Sequence, residues 1–204
     1  MQFKKEDIRA NILFAAREEF WKNGFAKASI RSITAAAKTS KSNVYNYFQD
    51  KDALFAAVVE TTITGVKKGF DHLRSGNPDR SAETYTIDSQ KEMMRRIMLF
   101  VYGHQDDLKL LLFRSAGSSL SNFKDCVTND LADVLADWVA YAAPERKLSR
   151  FFIRMVAGFY VGAIEQMLAK GVTAEQAAEH LNEFLHFVYG GWRSVLQTTP
   201  ISEV

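Results

Sequence analysis

Proline is almost absent from this chain, and its placement limits what the chain can become. Only Pro78, Pro144 and Pro200 occur among 204 residues, so residues 1–77 contain none. A proline ring removes a backbone donor and clashes with the preceding helical turn, so proline-free stretches stay open to helix. These stretches are rich in Ala, Leu, Lys and Glu, all good helix formers. No alternating run of Val, Ile and Thr marks a strand. The expectation is an all-α protein of about nine helices.

Local signals place the breaks. Ile8, Ile12, Ala15, Ala16 and Phe20 recur at three- and four-residue spacing, which predicts a helix from about Lys5 to Asn23, ended by Gly24. Ser29 caps a second helix, Ile30 to about Ala37. Ser40 caps a short third, Lys41 to Tyr47, and Asp50 a long fourth, Lys51 to about Leu73. Gly65 and Gly69 lie four apart within the fourth and suit close packing. Ser75-Gly76-Asn77-Pro78-Asp79 has the composition of a loop. Further helices fit residues 87–103, 106–116, 122–142, 147–170 and 174–197. Gly171 stops one of these, and Thr173 with Gln176 forms the capping-box pattern that starts the next. The residues from Pro200 onward are expected to fray.

Charge is unevenly spread. Residues 1–51 hold ten Lys/Arg against five Asp/Glu, whereas the remainder holds sixteen against nineteen. A basic front on an acidic body fits a nucleic-acid-binding end joined to a second module, though an ordinary solvated helical surface fits charge alone equally well. The expected division is 1–50 and 51–204. No apolar stretch follows Lys4 and Lys5, so no secretory signal is expected. The longest strongly apolar uncharged run, Met155 to Ile164, falls short of the ~20 residues that span a bilayer. The single cysteine, Cys126, has no internal disulfide partner, so it is expected as a small buried residue in a cytoplasmic, reducing compartment. His180 and His186 are six apart, the wrong spacing for a shared metal, and His104 with Asp106 and Asp107 is too common a grouping to mark one. There is no phosphate-binding glycine loop, zinc-protease helix or nucleophile elbow, so neither an enzyme nor a cofactor is expected.

The second and third helices are separated by Lys38-Thr39-Ser40 alone, the spacing of a helix-turn-helix. In that motif the second helix enters the DNA major groove with its N-terminal side chains on base edges. Lys41, Ser42, Asn43 and Asn46 are expected to face outward, with Val44 and Phe48 holding the helix to the core. Asn43 suits bidentate pairing with adenine, while Tyr45, Tyr47 and Lys51 can reach phosphates. Lys51 also starts a helix, where backbone N–H groups attract phosphate oxygens.

These residues resemble a known family. Ser29-Ile30-Arg31-Ser32-Ile33, then Ser40-Lys41, then Val44-Tyr45-Asn46-Tyr47-Phe48-Gln49-Asp50-Lys51-Asp52-Ala53-Leu54 is similar to the DNA-binding domain of TetR/AcrR-type regulators. Phe20 and Gly24-Phe25 match its N-terminal signature, and the resemblance covers roughly residues 6–60. It implies a domain extending to about residue 66, with DNA-binding residues at Ser40, Lys41, Ser42, Asn43, Tyr45, Asn46, Tyr47 and Lys51. Two positions depart from the pattern. Lys38 stands where the turn usually has glycine, and Ser42 where the recognition helix usually has one. Lys38 is therefore expected in a left-handed conformation.

The resemblance further implies a helical C-terminal domain that binds a small-molecule effector and dimerises, acting as a repressor on a palindromic double-stranded operator. Helical spacing gives a dimer-interface set: Phe152, Val156, Phe159, Ala163 and Met167 on one helix, Leu181, Phe184, Leu185, Val188 and Trp192 on the next. The same stripes also fit the core of one chain. Phe100, Tyr102, His104, Phe113, Phe123, Trp138 and Tyr160, with Arg114 and Glu165 as polar anchors, form the candidate effector pocket. Two other readings stay open: a helical small-molecule-binding protein without DNA binding, and a protein-interaction adaptor.

Overall fold

The computed structural model describes residues 2–75 and 85–197. Among these residues every regular element is a helix: α1 (Gln2–Lys27), α2 (Ile30–Ala36), α3 (Lys41–Tyr47), α4 (Lys51–Ser75), α5 (Ile87–Gly103), α6 (Gln105–Phe113), α7 (Phe123–Ala142), α8 (Arg150–Lys170) and α9 (Ala174–Gln197). The all-α expectation holds. Of the loop predicted after α4, residues 76–79 lie outside the described residues, as does the predicted frayed end from Pro200.

The caps act as the sequence predicts. Ser29 Oγ accepts the Arg31 N–H at 3.2 Å, Ser40 Oγ the Asn43 N–H at 3.1 Å, and an Asp50 carboxylate oxygen the Ala53 N–H at 2.7 Å. Thr173 and Gln176 hold each other's backbone N–H groups reciprocally, at 3.2 and 3.0 Å. Each bond satisfies a donor that a helix start leaves open. The helix predicted to end at Asn23 breaks there: Gly24 has φ 69° and ψ 164°, and residues 24–27 add one further turn. A Cβ at Gly24 would lie 3.6 Å from the Arg114 carbonyl, on a backbone that L-residues rarely adopt. Two starts and stops differ from expectation. α8 begins at Arg150 because Ser149, not a residue before Lys147, caps it through the Phe152 N–H. α6 stops at Phe113, and the chain turns through Gly117 at φ 87°.

The chain forms two compact units. Unit 1 comprises residues 1–67 with 105–126, and unit 2 residues 68–104 with 127–204. Unit 1 therefore gathers α6 with α1, α2, α3 and the first part of α4. Ile12, Ala16, Phe20, Ile33, Leu54, Phe55 and Leu110 are completely buried there. Phe55 sets its edge on Phe20 and Phe25, at 5.0 and 5.4 Å between centroids, an arrangement that aligns ring edges with ring faces. Asp107 of α6 is buried and ion-paired with Arg17 of α1. It also accepts the Thr62 hydroxyl at 2.7 Å, while Arg17 donates to the Val58 carbonyl at 3.0 Å. Both carboxylate oxygens are engaged, which is what makes a buried charge tolerable.

Unit 2 has several smaller cores. One joins Val139, Ala143, Val188, Trp192 and Leu196; a second Met94, Ala177, Leu181 and Leu185; a third Ala132, Ile153 and Ala157. Gly171, at φ 66° and ψ 29°, closes α8 in the left-handed conformation. By length and composition α8 suffices to cross a bilayer, with a mean hydropathy of 1.3, although its uncharged apolar run, Met155 to Ile164, is only ten residues long. Its Ile153, Ala157, Val161 and Leu168 are buried within unit 2, and Arg154 and Glu165 lie within its span. Cys126, expected to be buried, is exposed, because its turn of α7 faces outward.

Candidate nucleic-acid interface

α2 and α3 are joined by residues 37–40, and backbone bonds fix the turn. Ala37 N–H reaches the Ile33 carbonyl at 2.8 Å, Lys38 N–H that of Ala35 at 3.3 Å, and Thr39 N–H that of Thr34 at 3.0 Å. Lys38 takes φ 50°, the only positive φ of a non-glycine residue among those described. The left-handed turn implied by the missing glycine is thus present. Upstream, Glu19 of α1 accepts the Ser29 N–H at 2.9 Å and ties the start of α2 to α1.

α3 is amphipathic over two turns. Val44 and Phe48 are 1% and 5% exposed and face the unit 1 core. Arg9 of α1 lies over the Phe48 ring at 5.6 Å, an outer cover that helical spacing does not reveal. On the other side Lys41, Ser42, Tyr45 and Asn46 are exposed, with the Lys41 ammonium 5.7 Å from the Tyr45 ring centre. Asn43 is half-buried, and its amide nitrogen donates to Thr39 Oγ1 at 2.8 Å. A side-chain amide has two N–H donors and one acceptor oxygen, so this bond still leaves a donor–acceptor pair for a base. Thr39 orients Asn43 and was missed in sequence, because a turn threonine carries no signal of its partner. Ser40 faces outward while its hydroxyl caps α3. Tyr47 is half-buried against the core, its ring 6.4 Å from that of Phe48.

Lys51 lies differently from the other predicted contacts. Its ammonium points back at the end of α1 and donates to the carbonyls of Phe25 at 2.8 Å, Ala28 at 3.3 Å and Ala26 at 3.5 Å. The same nitrogen sits 4.4 Å from the Phe25 ring centre.

This geometry has close relatives. Residues 12–58, spanning most of α1 and reaching into α4, match the family of bacterial regulatory proteins called the tetR family. Over this segment the chain is similar to the DNA-binding domain of the tetR family. Within this TetR-type region the chain is 39% identical over 59 residues to the HTH-type transcriptional regulator UidR of Escherichia coli K12. That match covers 29% of this chain and 30% of UidR, so the chain spans about a third of the length of that relative. A longer match, 22% identical over 151 residues, is to the HTH-type transcriptional repressor DhaR of a Mycobacterium species, covering 65% of this chain and 76% of DhaR. Among solved structures, NalD of Pseudomonas aeruginosa, the secondary repressor of the MexAB-OprM multidrug efflux pump, superposes with a TM-score of 0.67 at 18% identity, covering 96% of this chain and 100% of NalD. At that identity the likeness is one of fold.

Outside the TetR-type helix-turn-helix, the predicted sets separate. The effector-pocket residues fall into both units: Phe113, Arg114 and Phe123 in unit 1, and Phe100, Tyr102, His104, Trp138, Tyr160 and Glu165 in unit 2. Phe123 packs on the unit 1 core, and the Arg114 carbonyl accepts the Phe25 N–H at 2.7 Å. In unit 2, Phe100 and His104 pair their rings at 4.5 Å, and the Tyr102 hydroxyl donates to the Val172 carbonyl at 3.0 Å. Trp138 and Tyr160 join an aromatic group with Trp192, Tyr85 and Tyr189. Tyr85 and Tyr189 were missed in sequence because tyrosines far apart in the chain carry no mark of meeting. Burial pushes the Tyr160 phenol up to about 12, although its oxygen accepts the Trp192 indole N–H at 3.0 Å, which works the other way. Burial also raises Tyr85, with neighbouring Tyr160 and Tyr189 adding to it, and raises Tyr102.

The predicted interface set needs a correction of phase. Leu181, Leu185, Val188 and Trp192 are each under 10% exposed in the single chain, so they have almost no surface left for a partner. They belong to the cores of unit 2. Phe152, Val156, Ala163, Met167 and Phe184 are half-buried, and of the ten only Phe159 is exposed, at 50%. The open apolar face is formed instead by Phe151, Met155, Phe159 and Phe187, with exposures of 79%, 56%, 50% and 71%.

Proposed function

We propose that the chain is a sequence-specific DNA-binding transcriptional regulator that acts as a homodimer on a two-fold related operator and represses until a small-molecule effector releases it. The observation that carries this reading is α3. It is capped by Ser40, anchored by Val44 and Phe48, and exposes Lys41, Ser42, Tyr45 and Asn46 within the segment that matches the tetR family. Short polar side chains at the N-terminal end of an anchored helix are what a major groove can read. Lys41, Ser42, Asn43 and Asn46 are assigned to bases, and Ser40, Tyr45 and Tyr47 to phosphates.

Dimerisation is assigned to the exposed face of α8 and α9. Phe151, Met155, Phe159 and Phe187 form an apolar patch of the kind that single-chain proteins rarely leave open. Two copies joined there give the two recognition helices that a palindromic site requires. The effector is assigned to unit 2, where the half-buried Trp138 and Tyr160 offer flat apolar surface with an indole and a phenol as polar handles. A regulator of this kind works in the cytoplasm.

The test is to select bound fragments from genomic DNA with the purified chain, then titrate a selected duplex against salt. The expected result is one recurring two-fold related sequence whose affinity falls steeply with salt. Enrichment of no sequence and binding insensitive to salt would leave a helical binding protein without DNA activity.

A further inference from the structure

The family pattern puts the lysine that opens α4 on the DNA backbone, yet the geometry points to another role. We propose that Lys51 is a positioning residue: its ammonium locks the segment between α1 and α2 onto the first turn of α4, and so sets the pose of the helix-turn-helix. This proposal rests on the DNA-binding reading above.

A lysine ammonium has three N–H donors and no acceptor. Three carbonyl oxygens, of Phe25, Ala28 and Ala26, converge on it at 2.8, 3.3 and 3.5 Å. The Phe25 and Ala26 carbonyls belong to the last turn of α1 and that of Ala28 follows it, where a helix end leaves acceptors open; the Phe25 carbonyl also accepts the Ala28 N–H at 3.3 Å. The Phe25 ring, almost fully buried, covers the same nitrogen at 4.4 Å. The segment that Lys51 grips is held from other sides as well. Phe25 N–H donates to the Arg114 carbonyl at 2.7 Å, Ala28 N–H to that of Gly24 at 3.0 Å, and Ser29 N–H to Glu19 at 2.9 Å. Ser29 is the cap of α2. One residue separates the last gripped carbonyl from the start of the DNA-reading motif, so a shift of this segment displaces α2 and α3 together. Turning the ammonium to a phosphate would release all three carbonyls at once. A compact charge with three rotatable donors suits carbonyls converging from different directions, whereas the planar fork of arginine does not.

Salt dependence separates the two roles. Each phosphate that a cation neutralises adds about 0.9 to the slope of log affinity against log salt. The probe is a duplex recovered by the unaltered chain from a random-sequence pool, titrated over roughly 50–200 mM salt. Lys51→Met is expected to weaken binding at least tenfold at every salt concentration with the slope unchanged. Lys51→Arg is expected to weaken binding too, although it keeps the charge. A slope shallower by about 0.9 in Lys51→Met, full affinity in Lys51→Arg, or unchanged affinity in both would overturn the proposal.

A second measurement starts from the unaltered chain without DNA. In proton–nitrogen spectra of the unaltered chain, the Lys51 ammonium should exchange slowly with water, and its neighbouring methylene protons should shift upfield under the Phe25 ring. Phe25→Leu should remove the upfield shift and keep the slow exchange. A fast-exchanging ammonium in the free chain, or loss of its protection on adding the duplex, would also overturn the proposal. If the unaltered chain binds no duplex, the functional reading fails, and the ammonium spectrum still decides the clamp.

Discussion

Unit 1 and unit 2 bury their apolar residues in different ways. Unit 1 has one continuous core built around Phe20, Phe55 and Leu110, and polar bonds tie its helices together from outside that core: Arg17 to Asp107, Glu19 to Ser29, Lys51 to the end of α1. Unit 2 divides its core into several clusters and leaves four large apolar side chains of α8 and α9 in the open. Unit 1 also exposes Phe14, Trp21, Tyr45 and Phe113, but these are distributed over α1, α3 and α6 around a core that is one piece. Unit 2 gathers Phe151, Met155, Phe159 and Phe187 on one exposed face, the surface that the proposed pairing would cover. The family match follows the same division, since residues 12–58 lie wholly in unit 1.

If unit 1 depends on its continuous core, breaking the centre should have the largest effect of any change. Phe55→Ala removes a completely buried ring that touches Phe20 and Phe25. The expected loss is about 3–5 kcal/mol in denaturant unfolding, together with loss of DNA binding. A loss under about 1 kcal/mol would mean the core repacks freely and is not a rigid base.

Next in size is the polar tie. Asp107→Ala strands Arg17 and takes an acceptor from Thr62. The Arg17 side chain is 38% exposed and can turn partly to water, so roughly 2–3 kcal/mol is expected, below the full cost of orphaning a deeply buried charge. Asp107→Asn should recover part of this through the Thr62 bond. A neutral Asp107→Ala would show that the core alone holds α6 in place.

Unit 2 makes the opposite prediction. Phe187 is 71% exposed, so Phe187→Asp should leave the unfolding of the single chain within about 0.5 kcal/mol. It should instead raise the dimer dissociation constant at least 30-fold, about 2 kcal/mol, read by sedimentation, and weaken operator binding accordingly. An unchanged dimer would move the interface elsewhere.

The difference between the units also explains what was legible in the sequence. Ser29, Ser40, Asp50 and Thr173 announced their helices because a cap bonds within three residues of itself. The left-handed Lys38 was legible for the same reason, as a local conformation forced by a local turn. Lys51 and Asp107 were not, since their partners lie about 25 and 90 residues away and nothing in either residue names them. The phase of α8 and α9 escaped for another reason. Both helices carry apolar residues on more than one face, so spacing alone could not tell Trp192, which is buried in its own chain, from Phe187, which is not. Periodicity finds a stripe; only packing decides what covers it.

Within α3 the expected effects are smaller and concern preference more than stability. Asn43→Ala should lower discrimination at one base position by about 1–2 kcal/mol, measured by competition between the selected duplex and single-base variants. The Thr39 bond to the Asn43 amide sharpens this. Thr39→Val should relax the same position to a lesser degree, because Asn43 keeps its amide but loses the hydroxyl that orients it. A change at several positions at once would mean that α3 has moved, not that one contact was lost.

The smallest effect sits in the turn between the two reading helices. Lys38 holds φ 50°, where a residue with a Cβ is strained by about 1–2 kcal/mol. Lys38→Gly relieves that strain but gives the unfolded chain more freedom, which costs about 0.5–1 kcal/mol. The net expectation is a gain of about 0.5–1 kcal/mol, seen as a higher denaturant midpoint with the unfolding slope unchanged. The gain should appear in unit 1 alone and leave the proposed dimer contact at Phe151 and Phe187 untouched. A loss of stability would mean that the lysine side chain repays its strained backbone. The position would then be tuned in this chain, where the family pattern has glycine.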